Sequence, residues 1–200
     1  MTKQKLHPTG QFKPSHMANK EVTQKEINEL ISDAEYLQDE AEALKYVIDS
    51  VPFKESPPDG FSIYNMLKLI DHAQKNYYRP LIEKVFAENR PISLSNYDHY
   101  KETFQETADE DDFNVQKLLS KIVKHRAALI NLFKKLSLID WERGLRGERG
   151  ERLLLIDFAK RMIREERRLL KDIADLVLIY QNEQQHQREI QRKASQRNSS

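Results

Sequence analysis

Cysteine is absent from the 200 residues, glycine is held to 5 and tryptophan to 1. Without cysteine there are no disulfides, no thiolate nucleophile and no sulfur-ligated metal, so any metal would fall to histidine and carboxylates. That composition fits a cytoplasmic protein. Nowhere do about 18 apolar, uncharged residues run together, and the opening MTKQKLHPTGQFKPSH has no apolar centre, so neither a spanning helix nor a secretory signal is expected. A charge of one sign is missing too: 33 Lys+Arg stand against 32 Asp+Glu, for a net charge of +1. Such a balance argues neither for a nucleic-acid binder nor for an acidic solvating tail, and the expectation is no specific nucleic acid and no membrane as partners. The balance is uneven along the chain, with +3 in residues 1–22 and +2 in residues 181–200 around an acidic body.

The chain holds four amphipathic patterns. Residues 1–22 lack periodicity and read as a flexible basic arm. Thr23 and Glu26 then form a capping-box pair, and Ile27, Leu30, Ala34, Leu37, Ala41, Leu44 and Ile48 recur at three- and four-residue spacing, which predicts a helix over about 23–50. Pro52, Pro57, Pro58 and Gly60 stop it. Ser62 caps a second helix with Ile63, Met66, Leu67, Ile70, Ala73, Tyr77, Leu81 and Val85 on one face, bent or interrupted at Arg79-Pro80. A short extra helix is expected near 95–107, and the acidic run 109–112 precedes a third long helix over about 112–137 whose stripe breaks at His125 and Arg126. Residues 137–151, with three glycines among charges, read as a solvated loop. A fourth helix starts near 152 and passes 180. With four stripes and no sustained period-2 alternation, the expected fold is an all-α, antiparallel four-helix bundle over 23–183, followed by a polar tail, 184–200.

Two segments carry a resemblance. In DGFSIYNMLKLIDHAQ the pair Phe61-Ser62 opens a helix, and LFKKLSLIDWERG places Leu136, Ser137, Asp140 and Trp141 in a Leu-Ser-x-x-Asp-Trp turn before LLLIDFAKRMIREERRLLKDIADL. In order, over roughly 27–180, these resemble the DinB-like superfamily of metal-dependent four-helix bundles. The resemblance implies one histidine seven residues after the serine and a His-x3-His pair on the fourth helix. Those positions are held here by Leu69, Glu165 and Leu169. Two leucines offer no lone pair and one carboxylate binds a transition metal weakly, so the expectation is the family fold with no metal and no cofactor.

What remains for chemistry is sparse. His72 and His125 could join Glu165 in a displaced site, but neither has a histidine at i+3 or i+4, and a lone histidine on a helix flank is ordinarily solvent-facing or hydrogen-bonded. His7, His16, His99 and His186 sit in ends or connections. Glu165 falls between Met162 and Leu169 on the stripe, where it is either a general base in a cleft or the partner of an arginine from a neighbouring helix. Tyr77 and Tyr78 either line a pocket mouth or pack. Arg143, Arg146, Arg149 and Arg152 are interleaved with Glu142, Glu148 and Glu151, which cancels a phosphate-binding reading. Arg168 and Asp172 have the spacing of an i,i+4 pair. The dinucleotide, Walker and HExxH motifs are absent. The expected function is a non-catalytic bundle that holds a small molecule in a cleft around Leu69, Glu165, Leu169 and Tyr77, or that associates as a homodimer. The alternative is a hydrolase or thiol transferase using a displaced site in the same cleft. A weaker third reading docks the basic ends on nucleic acid without sequence specificity.

Overall fold

The computed structural model describes residues 21–58, 60–88, 90–105, 114–147 and 149–198. Most of the expected N-terminal arm with His7 and His16, the acidic run 109–112 and Glu148 lie outside them. Residues 21 and 22 are described, and Val22 is buried and donates its amide to Glu142 Oε1 (3.2 Å), so the packed body includes this residue of the expected arm.

Helix α1, Gln24–Leu44, opens with the capping box: Thr23 Oγ1 accepts from the Glu26 amide while Glu26 Oε2 accepts from the Thr23 amide. It stops earlier than the periodicity predicted, because Val51 must be extended ahead of Pro52, and a 3-10 turn, Ile48–Ser50, fills the gap. Helix α2, Ile63–Ala73, starts where Ser62 Oγ accepts from the Asn65 amide. A single π-helical turn, Gln74–Tyr78, links it to α3, Arg79–Ala87. In a regular helix the ring of Pro80 would meet the carbonyl of Asn76; the wider turn absorbs the conflict, so the helix bulges without breaking.

The connection that follows is strand β1, Ile92–Ser93, a 3-10 turn, Leu94–Asn96, and a one-turn helix α4, Tyr100–Thr103. Extended backbone at Tyr97 and His99 divides the single helix expected there. Helix α5, Val115–Phe133, is capped by Asn114. The expected loop 137–151 is instead a capped turn α6, Leu138–Trp141, and the hairpin of β2, Gly144–Arg146, with β3, Arg152–Leu154. Gly150, at φ +80°, turns the hairpin in a conformation that disfavours other residues. β1 pairs with β2 in parallel, tying the connection to the hairpin. Arg143 is only partly exposed: it meets Asp140 and donates to the carbonyls of Val85, Phe86 and Glu88, clamping the end of α3. Helix α7, Leu155–Asn198, follows β3 directly, three residues later than expected, and runs unbroken through the expected tail boundary at 183/184.

These elements make the expected all-α four-helix bundle, with a small three-stranded sheet added. Its helix directions are mixed. Glu26 meets Lys160 and Asp33 meets Arg167, so α1 and α7 run parallel. Glu35 meets Lys134 near one end of α5, and the Lys45 carbonyl accepts from Gln116 near the other, so α1 and α5 run antiparallel. Residues 61 and 176 line one cavity while Gln74 bonds Glu166, so α2 and α7 are antiparallel. The long connection between α3 and α5 is what returns the chain across the bundle. The core is continuous, from Ile27 and Leu37 through Leu67, Ile122 and Phe158. The Leu-Ser-x-x-Asp-Trp turn also gains a physical role there: Ser137 and Asp140 form a capping box, and Trp141, fully buried, packs on Phe133 with ring centroids 5.2 Å apart.

Candidate functional site

A cleft of about 580 Å³ opens between α2, α4 and α7. Its floor is apolar because the inward edges of α2 and α7 bring Met66, Leu69 and Leu169 together, and Phe61, Phe104 and Ile179 close it. Phe61 and Phe104 meet edge to face at 6.5 Å. Charged groups stand at the mouth: Lys101, Glu165, Arg168, Asp172 and Asp175. The three positions implied by the DinB-like resemblance, Leu69, Glu165 and Leu169, therefore share one concavity.

Glu165 is the polar centre of that cleft. Lys101 Nζ donates to its Oε2 at 3.1 Å, and the Tyr100 hydroxyl, 3.4 Å away, donates to the same oxygen. Burial pushes the carboxyl up, but the hydrogen bond and charge of Lys101, the charge of Arg168 and the Tyr100 hydrogen bond outweigh it, so Glu165 titrates below its ordinary range. Behind it, Tyr78 is hydrogen-bonded to Tyr100. Burial, then the charge of Glu165, pushes the Tyr100 hydroxyl up to about 12, and burial raises Tyr78 further. Both phenols are neutral donors at physiological pH, in a chain that ends on a carboxylate at the cleft wall. Arg168 and Asp172 both line the cleft but, among the described residues, form no ion pair with each other.

The other expected residues are not brought together. His72 Nδ1 accepts from Asn76 Nδ2 (2.9 Å), which leaves Nε2–H for Thr103 Oγ1 (2.9 Å). Its ring packs on Phe104 at 5.8 Å, and Phe104 stands between it and the cleft. Burial lowers the His72 pKa, against the opposing charge of Asp71. His125 Nε2 lies 3.6 Å from Asp71 Oδ1 on α2. Neither histidine lines the cleft. Tyr77 is outside it as well, buried among Tyr78, His99, Tyr100 and Phe158. The arginine partner weighed for Glu165 exists one residue further on. Glu166, 5% exposed, forms an ion pair with Arg126, 1% exposed, and Glu166 Oε1 accepts from Gln74 Nε2 at 2.9 Å. The break in the third stripe at Arg126 was the sequence signal for this pair.

A divalent ion needs three or more donors. At the three implied positions the structure offers one carboxylate, already neutralised by a lysine, between two leucines that are 4% and 8% exposed. Among the described residues no group of three His, Asp or Glu is placed to hold a metal ion. This donor set does not fit the metal that the resemblance would supply. Among the described residues, no helix is long and apolar enough to cross a membrane.

No family model matches the chain, and no curated protein matches it. Among solved structures, YfiT from Bacillus subtilis, described as "a probable metal-dependent hydrolase with an unusual four-helix bundle topology", superposes with a TM-score of 0.63 at 14% identity, over 84% of this chain and 92% of that one. The likeness is one of fold: this chain has the four-helix-bundle architecture that its resemblance to the DinB-like superfamily implied.

Proposed function

We propose that the chain is a metal-free, non-catalytic member of this fold type that binds a small molecule in the cleft between α2 and α7. The observation that carries this reading is the pair Leu69 and Leu169, which turn the place of metal ligands into apolar wall. The cavity has the volume of an ordinary small-molecule site, whose typical range is about 300–1,000 Å³. Its layout suits a ligand with an apolar body against Met66, Leu69 and Leu169 and one polar end near Lys101 and Glu165. The protein acts in the cytoplasm on this reading, and homodimerisation is the association that sedimentation velocity would test.

Titration of the full chain with 1-anilinonaphthalene-8-sulfonate tests the cleft. One saturable, blue-shifted site is expected, weakened at least about tenfold by Leu169→Trp and by Met66→Trp, with cooperative melting retained in at least one of them. Undiminished binding by both cleft-filling variants would overturn the reading.

A second reading has one observation in its favour. Glu165 faces the cleft with Tyr100 and Lys101 on it, and the fold neighbour YfiT is described as a hydrolase. On that reading Glu165 is the general base of a hydrolase that uses no metal. Hydrolysis of 4-nitrophenyl acetate abolished by Glu165→Gln would support it over the binding role.

A further inference from the structure

A second cavity, of about 450 Å³, lies on the other side of Phe104 and is polar where the cleft is apolar. Lysines converge on it from three elements: Lys68 from α2, Lys75 from the π-helical turn, and Lys117 and Lys121 from the start of α5. Asp71 is the one carboxylate among its lining residues, and it is turned to His125. Among the described residues Lys75 and Lys121 have no ion-pair partner, while Lys68 and Lys117 make other contacts as well. We propose that this cavity binds a small polyanion bearing two or more phosphate groups.

Lysine ammonium groups are compact point charges suited to phosphate, and a wall of them around a recess raises the local anion potential. Neutral hydrogen-bonding groups complete the recess: His72, Asn76 and Thr103 form one chain along its edge. The π-helical turn matters here, because it carries both Lys75 and Asn76. The spread of the lysines favours several phosphates over one, because they come from three separate elements, α2, the π-helical turn and α5. An anion bound at His72 would also raise that imidazole's pKa, which burial now lowers.

The test is calorimetric titration of the full chain with orthophosphate, pyrophosphate and tripolyphosphate at low salt, with the His72 ring resonances followed by NMR. One site per chain is expected, with affinity rising from orthophosphate to tripolyphosphate and the His72 titration moving to higher pH. Lys75→Glu/Lys121→Glu should weaken tripolyphosphate at least about tenfold, whereas Lys135→Glu/Lys171→Glu, the same charge change on exposed lysines elsewhere, should not. Absence of binding, orthophosphate as tight as tripolyphosphate, equal loss in both double variants, or an unmoved His72 would overturn the proposal. Displacement of tripolyphosphate by a short oligonucleotide at lower concentration would reassign the surface to nucleic acid and overturn it as well.

Discussion

Among the described residues Arg126, 1% exposed, is the most deeply buried charged side chain. Burial pushes its guanidinium down to about 9, still above neutrality, so it meets Glu166 as an ion pair inside the bundle. A buried pair of this kind adds little net stability, but removing one partner strands the other charge. Arg126→Met should therefore cost about 3–5 kcal/mol in urea denaturation, and adding Glu166→Leu should return much of it. Recovery absent from the double variant would show that Arg126 acts by packing alone. Sequence phase placed a carboxylate on the fourth stripe but chose Glu165 over Glu166. One residue is 100° of helix rotation, and a stripe read from apolar spacing does not resolve that where two glutamates are adjacent.

Glu165 gives a pH-dependent counterpart. Its folded pKa lies below the unfolded value, so it contributes stability above the ordinary glutamate value of about 4.3 and loses it as the pH falls through the folded pKa. Lys101→Met removes the largest depressing contact and leaves burial to push the carboxyl up. Urea midpoints should then show the variant less stable near neutrality, with the difference shrinking as the pH drops below about 4. A pH-independent difference would contradict the assignment of Lys101 as the partner of Glu165.

At the scale of elements, caps and stripes were legible because they are local. Thr23 with Glu26 and Ser62 appear as read, since each satisfies helix-end amides within three residues of sequence, and Ser137 with Asp140 does the same inside a stretch whose glycines and charges read as a loop. The Ser137 hydrogen bonds hold the Asp140 carboxyl below its usual range, despite some burial, with Arg143 helping. Ser137→Ala should cost about 1 kcal/mol by thermal or urea unfolding, the usual value of a lost cap. The strands were not legible: two or three residues each are too few for a period-2 pattern, and they pair only because the crossover and the hairpin meet. Nor did the proline at 80 announce whether it would break the helix or bulge it. At the start of the bulge the Gln74 side chain donates to Glu166 from another helix, a contact that local spacing does not reveal.

At the scale of the molecule, the four-helix count followed from four stripes, but the directions did not. Periodicity says which face is buried and nothing about which neighbour buries it, so the parallel pairing of α1 with α7 shows only in contacts such as Asp33 with Arg167. The far end of α7 is likewise a property of the whole. At 44 residues it spans about 66 Å, and residues 185–196 are exposed. Truncation after residue 192 should change unfolding stability by less than about 0.5 kcal/mol, because nothing apolar is uncovered. A larger loss would mean that the extension packs against a second copy.

Elemental analysis tests most directly the proposal that the cleft between α2 and α7 takes a small molecule in place of a metal. The purified, untagged chain and the variant Leu69→His/Glu165→His/Leu169→His would each be incubated with Zn²⁺, Ni²⁺ and Mn²⁺, desalted exhaustively and analysed. The expected result is no retained metal in the native chain and close to one ion per chain in the variant, since the three positions already share one concavity. Near-stoichiometric metal in the native chain, lost on Glu165→Ala, would contradict the account and make the cleft a metal centre.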